Sequence, residues 1–304
     1  MPPERLPTVL IFVPEQWDYV TRFAKWHGAP FPSNQNLSNA LGTITDHRNK
    51  FETLATRTTH LIPELVEERN QLDQRGYSSM DKTNEFTSMI EALICELYSC
   101  LDGLRNTIYI IYRNVRGVQN ESTEKLFSRA VKEKYGDDFP SEISNLLKIA
   151  YENWFLDIRR IRSELTHRRV GSCLLHDELR ISYRHDFLRS DTGLFIIDDI
   201  ITWINTHAGY VYGLLNEVCK FWLAQLDPRE TTEICGFHMG RVMLRVINIA
   251  EPVNSDSGLC LFRHFYEEEP EYACPLRDSC AAYARVGSHS RELVARITRA
   301  ETHV

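Results

Sequence analysis

The chain has 304 residues, of which 43% are hydrophobic and 25% charged, with a formal net charge of −7. This is the composition of a globular protein with a real core, and it excludes a disordered or collagen-like chain. The negative balance also excludes a global basic field, so any nucleic-acid contact must come from a local patch.

Residues 9–13 form an apolar run between Pro7 and Pro14. The run is too short for a secretory signal core and reads as a buried strand. No stretch approaches the roughly 20 apolar residues of a membrane span. A cytoplasmic protein with no membrane partner is therefore expected. Ile44 to about Gln74 reads as a polar helix with Phe51, Leu54, Leu61, Leu65 and Leu72 facing inward. Pro63 should kink it or split it in two.

A long helix is predicted from about Asn84 to Val115. Phe86, Ile90, Leu93, Leu97, Leu101 and Leu104 recur there at steps of three and four, and a bundle is the natural way to bury such a seam. A short helix from Lys125 to Lys134 follows. Ser141 then serves as N-cap of a second long helix, whose stripe runs through Ile143, Leu147, Trp154, Ile158, Ile161 and Leu165. Gly171 supplies its stop.

Residues 171–185 read as a small β-hairpin with Leu179, Ile181 and Tyr183 on one side. Leu194 to Leu226 is apolar on more than one face and reads as a central helix. His207 within it reads as a hydrogen-bonded core residue. From Arg229 the chain becomes loopier, and a short charged helix is expected from about Ser290. The expected fold class is mainly α: a helical bundle with a small β-hairpin and a C-terminal Cys/His-containing, loop-rich segment. The expected division is residues 1–83, a strand and helix region; 84–228, the bundle; and 229–304, the Cys/His segment.

The chemistry concentrates at the end of the second long helix. An Arg-x4-His spacing occurs at Arg22/His27, Arg162/His167 and Arg180/His185. The first lies beside a Gly/Pro-rich loop and the third on the hairpin, and both read as accidental. Arg162 and His167 sit on an amphipathic helix between two others. Arg159, Arg160, Arg168 and Arg169 crowd around them, with Glu164 opposing. An imidazole titrating near neutrality can move protons, and a guanidinium can hold a phosphate. The simpler reading is that cations gather at a helix C-terminus because the backbone dipole favours them there. Residues five apart on a regular helix point about 140° apart. Arg162 and His167 therefore converge only if the helix end unwinds or a second copy completes the site.

The run Arg162-Ser163-Glu164-Leu165-Thr166-His167, near the end of a bundle helix, resembles the motif of the HEPN superfamily. The resemblance covers about Asn84 to Leu226. It implies a helical bundle and a metal-independent endoribonuclease, usually a homodimer bringing two motifs into one cleft. Many such proteins are toxins or anti-phage defence effectors held by an antitoxin or sensor protein. It implies that Arg162 and His167 are catalytic and that cleavage leaves 2′,3′-cyclic phosphate ends without a cofactor. Ser163 and Thr166 would support them, and Arg159, Arg160, Arg168 and Arg169 would bind RNA. The family often has Asn where Ser163 stands. Members paired with a nucleotidyltransferase antitoxin often have Tyr where Arg169 stands. The alternative is a non-catalytic HEPN-like adaptor that binds RNA, nucleotide or a protein partner.

The tail holds short-range pairs of soft ligands: Cys235-x2-His238, Cys260-x3-His264 and Cys274-x5-Cys280. Zinc takes four Cys or His ligands in a closed tetrahedral site. The best set is Cys235, Cys260, Cys274 and Cys280, with His238 and His264 as substitutes. The other reading is that these are ordinary buried cysteines. Residues 274–280 also resemble the closing piece of the iron–sulfur loop in endonuclease III-type DNA glycosylases, without the rest of that pattern. Cys95, Cys100, Cys173 and Cys219 read as packing residues.

Overall fold

In the computed structural model, which describes residues 12–167, 169–190, 193–263, 269 and 272–286, the chain is mainly helical with two small antiparallel three-stranded sheets. Helices α1 (Val13–Gln16) and α2 (Tyr19–Trp26) precede the two longest, α3 (Gln35–Arg75) and α4 (Asp81–Tyr112). Then come α5 (Thr123–Val131), α6 (Ser141–Ala150), a π-helical turn (Tyr151–Phe155) and α7 (Leu156–His167). Strands β1 (Ser172–Leu175), β2 (Ile181–Ser190) and β3 (Gly193–Ile197) lead to α8 (Ile200–Leu223). Strands β4 (Glu230–His238), β5 (Arg241–Asn248) and β6 (Leu259–Cys260) precede α9 (Ala281–Ala284). No helix among the described residues is long and apolar enough to cross a membrane.

The chain forms two compact units, Pro32–Phe221 and Met1–Phe31 with Trp222–Val304. These boundaries differ from the expected ones at 83 and 228. α3 packs along α4 and shares its unit. Trp26 of α2 donates its indole N–H to Glu233 of β4 at 3.0 Å, which ties the N-terminal helices to the C-terminal sheet.

In the larger unit, Asn34 caps α3 by accepting the Leu37 amide at 3.0 Å. Phe51, Leu61 and Leu65 are buried as the spacing predicts, while Leu54 and Leu72 are half-buried. Pro63 does not split this helix. It is exposed on a helix that runs unbroken from Gln35 to Arg75. A proline costs an interior helix one hydrogen bond, and here the packing of α3 on α4 outweighs that loss. The α4 seam is buried from Phe86 to Ile108. Gly103 lies on that seam because a Cβ there would meet the Ile44 amide nitrogen of α3 at 3.3 Å.

Four local expectations are corrected. Ser141 is the first residue of α6, not its cap. The predicted second long helix carries the π turn, and one extra residue in that turn keeps both Trp154 and Phe155 inside. Phe155 then stacks on Phe127 of α5 at 4.1 Å. The hairpin has a third strand: residues 193–197 are β3, so the apolar helix begins only at Ile200. Leu179 is exposed at positive φ in the turn between β1 and β2, while Ile181 and Tyr183 are buried.

In the smaller unit, Asp18 caps α2, and Phe23 packs on Phe31 and Trp222, each at 5.2 Å. The expected loopy tail contains the antiparallel β4–β5–β6 sheet, with a bulge between Ile234 and Gly236. Val13 belongs to α1. The rest of the predicted strand at 9–13, apart from Phe12, and the charged helix after Ser290 lie outside the described residues.

Candidate functional site

α7 remains helical through His167, its last residue. Arg162 is half-buried and lays its guanidinium over the Tyr98 ring of α4, 4.8 Å from the centroid. Tyr98 is buried, and burial raises its hydroxyl pKa, with Asp102 adding to the rise and Arg162 opposing it. Cys95, one turn away on the same face of α4, is also raised by burial and lowered by the Arg162 charge. Arg162 makes no ion pair with a carboxylate among the described residues.

His167 is exposed at the helix end. Because α7 does not unwind, five residues of regular helix separate the two side chains by about 140°. The single chain does not bring Arg162 and His167 to one point. Thr166 is exposed and gives its hydroxyl hydrogen to the Arg162 carbonyl one turn earlier, so that donor is committed to the helix backbone. Ser163 is half-buried.

The surrounding arginines divide into three groups. Arg159 is ion-paired to Glu124 of α5 at 2.6 Å. Arg160 lies over the Phe195 ring of β3 at 5.5 Å. Arg169 is exposed, and Arg168 lies outside the described residues.

The acidic residues of α4 fix neighbours other than Arg162. Asp102 accepts from the Thr123 hydroxyl at the start of α5. Glu96 accepts from His47 and Lys50 of α3, each at 2.5 Å. Burial opposes ionisation of Glu96, but those two donors outweigh it and lower its pKa.

The sequence offers Glu91, like Glu96 and Asp102, as a solvated helix position or a partner for Arg162, and the structure gives it neither role: it is buried. It accepts the Gly171 amide at 2.6 Å and the Tyr183 hydroxyl at 2.9 Å. Burial and then the Glu91 charge raise the Tyr183 hydroxyl far above its ordinary range. The buried His185 imidazole adds a bond from Nε2 to the Arg169 carbonyl at 2.9 Å. The segment just beyond His167 is thus held from α4 and from β2. Its only sequence signal is an acidic residue on an otherwise apolar seam.

His207 lies in the core of α8 as expected. Its Nδ1 bonds the Trp203 carbonyl at 2.8 Å, its ring stacks on Trp203 at 3.7 Å, and burial lowers its pKa.

The tail cysteines are gathered. Cys235, Cys274 and Cys280 line one cavity of about 340 Å³ together with Arg245 and Phe12. Burial pushes the Cys260 thiol up to about 11, and Cys235, Cys274 and Cys280 add to the rise. Cys274 is likewise raised by burial, with Cys235 and Cys280 contributing. No three His, Cys, Asp or Glu side chains among the described residues converge on a common ion position. His264 lies outside the described residues. Cys100, Cys173 and Cys219 are buried packing residues, and Cys95 is half-buried.

Comparison of the chain with protein-family models, with curated proteins and with solved structures gives no match.

Proposed function

We propose that this chain is a metal-independent endoribonuclease of the HEPN kind, acting as a homodimer through Arg162 and His167. One observation carries the reading. A half-buried guanidinium with no carboxylate partner among the described residues lies on Tyr98, on the same helix whose exposed last residue is His167. A cation held by an aromatic face remains free to take a phosphate.

The divergence of the two side chains calls for a second copy. Arg162 of one copy and His167 of the other would meet across a two-fold axis. His167 takes the proton of a ribose 2′-hydroxyl, and the 2′-oxygen attacks the adjacent phosphorus. The bond to the 5′-oxygen breaks, and that oxygen takes the proton back from the same His167 imidazolium. The products are a 2′,3′-cyclic phosphate and a 5′-hydroxyl. Arg162 stabilises the extra negative charge as the phosphorane-like transition state forms. Ser163 and Arg169 flank the reacting phosphate, with Arg168 beside them in sequence. A toxin or anti-phage role, restrained by an antitoxin or sensor protein, goes with this reading.

The test is cleavage of single-stranded RNA in EDTA by pure protein, with end-group analysis. Arg162→Ala and His167→Ala should each abolish cleavage. Mixed dimers of the two variants should recover about a quarter of the activity, because half the dimers are mixed and each rebuilds one of two sites. Variants that cut as fast as the parent would refute the reading.

The second reading is a non-catalytic adaptor. It is favoured by the engagement of Arg159 with Glu124 and of Arg160 with Phe195, which takes two cations out of a free RNA-binding face. RNA or nucleotide binding without any cleavage would select it.

A further inference from the structure

Arg245 is a buried charge in the smaller unit. It lies on β5 with only 4% of its surface exposed. One terminal nitrogen donates to the carbonyls of Ser255 and Ser257 at 2.5 and 3.0 Å. The other donates to the Cys235 sulfur at 2.9 Å, and the guanidinium lies 4.2 Å from the Phe12 ring centroid. Its Nε is buried without a partner. Its opposite number in the β4–β5 ladder is Glu233, whose carboxylate is committed to Trp26 and Lys25. Arg245 makes no ion pair among the described residues. A cation buried this way needs an anion near it.

The cavity beside it is lined by Glu15, Asp256 and three cysteines, and the sulfur of Cys235 is the side-chain atom its guanidinium touches. Cys235 sits in the β4 bulge next to Arg245, and Cys260 is the partner of Arg245 in the β5–β6 ladder. Cys274 and Cys280 stand at the two ends of a turn closed by the Cys280 amide bonding the Leu276 carbonyl at 2.8 Å. All four are free thiols, drawn from β4, β6 and the turn before α9. Three of them line one cavity with Arg245, and the fourth, Cys260, is close enough to all three that they add to the rise of its thiol pKa.

We propose that Cys235, Cys260, Cys274 and Cys280 bind one structural zinc ion, with the Arg245 guanidinium hydrogen-bonded to the Cys235 sulfur as its counter-charge. Four thiolates around a divalent zinc leave two negative charges, and Arg245 answers one of them. An N–H donor on a ligating sulfur orients that ligand and tunes it. Each thiol passes its proton to solvent as it ligates. The sulfurs do not converge on a common point as they stand, so ligation would require the four side chains to move toward one another. Zinc would also staple a sheet whose last strand has only two residues.

The experiment is metal analysis of the full chain, purified without chelator from zinc-supplemented cells. The expected result is about one zinc per chain. Cobalt exchange should give the absorption of a tetrahedral thiolate site. Thiol-reagent titration should show four more reactive cysteines after chelation. Cys235→Ser and Cys274→Ser should lower zinc content, while Cys95→Ser should keep it. Because cysteine variants of a small sheet can fail to fold, the unmodified chain decides. A chain without zinc whose thiols react equally with and without added zinc overturns the proposal. So does one that holds iron with acid-labile sulfide. Zinc content is read without RNA, so its failure leaves the nuclease reading standing, and the converse holds too.

Discussion

Glu91 and Gly171 are joined by a 2.6 Å hydrogen bond across 80 positions of sequence, and this bond fixes where the helix bearing His167 can end. The same carboxylate oxygen takes the Tyr183 hydroxyl. One acidic side chain on α4 therefore ties the exit of α7 to the first sheet.

Gly171→Ala should destabilise the chain. The added Cβ would run into the Tyr183 ring, 2.5 Å from its hydroxyl oxygen, and lie 2.6 Å from the Arg184 carbonyl. Overpacking of this kind costs about 1–3 kcal/mol. Urea unfolding should show a lower midpoint with an unchanged slope. An unchanged midpoint would mean the close approach does not exist in solution.

Glu91→Leu should cost about 2–4 kcal/mol, because it strands the Gly171 amide and the Tyr183 hydroxyl in a buried place. Glu91→Gln keeps an acceptor and should lose less. The double variant Glu91→Leu/Tyr183→Phe should recover part of the loss. Equal stability of the Leu and Gln variants would show that the carboxylate is not the clamp.

Tyr98→Phe should leave RNA cleavage near the parent level, since the ring under Arg162 is kept. Tyr98→Leu removes the aromatic face, which is worth about 0.5–1 kcal/mol at a site like this. Initial rates should fall roughly two- to fivefold. If Phe and Leu behave alike, the ring does not hold the guanidinium.

The pH dependence of stability follows from His207. Its pKa lies below the ordinary 6.5, chiefly through burial. The folded chain thus holds the neutral ring where the unfolded chain already binds a proton. Stability is full above pH 6.5 and is lost as pH falls from there toward the lowered folded value. Thermal unfolding across this range should show a decline that is weaker in His207→Gln. A decline of equal size in both would point to other groups.

Glu233→Leu should destabilise the smaller unit by about 1–3 kcal/mol, because the Trp26 indole N–H loses its 3.0 Å acceptor inside the core. Tryptophan fluorescence should report the change, and RNA cleavage should not move. Unaltered fluorescence would place the indole elsewhere.

The helical architecture was legible because a period near 3.6 needs only local information. Phe86, Ile90, Leu93 and Leu97 declare a buried face wherever the partner lies, and α4 is buried along that face. The end of α3 and both ends of α5 fall within about three residues of the expected positions, whereas α3 starts at Gln35, well before the expected Ile44. β3 was hidden because Leu194 to Ile197 continues the apolarity of the helix after it, and a short apolar run reads either way. The π turn was hidden because one inserted residue barely disturbs a stripe of threes and fours.

By itself, the sequence determined which faces are apolar and which chemical groups the segments carry: an arginine and a histidine on α7, four thiols in the tail. Only the tertiary structure decided what those groups meet. It laid Arg162 on Tyr98, tied Gly171 to Glu91, and set Cys235 against Arg245. Periodicity encodes burial, which is a property of one segment. A partner 64 or 80 positions away is chosen by packing of the whole unit, and no local pattern carries it.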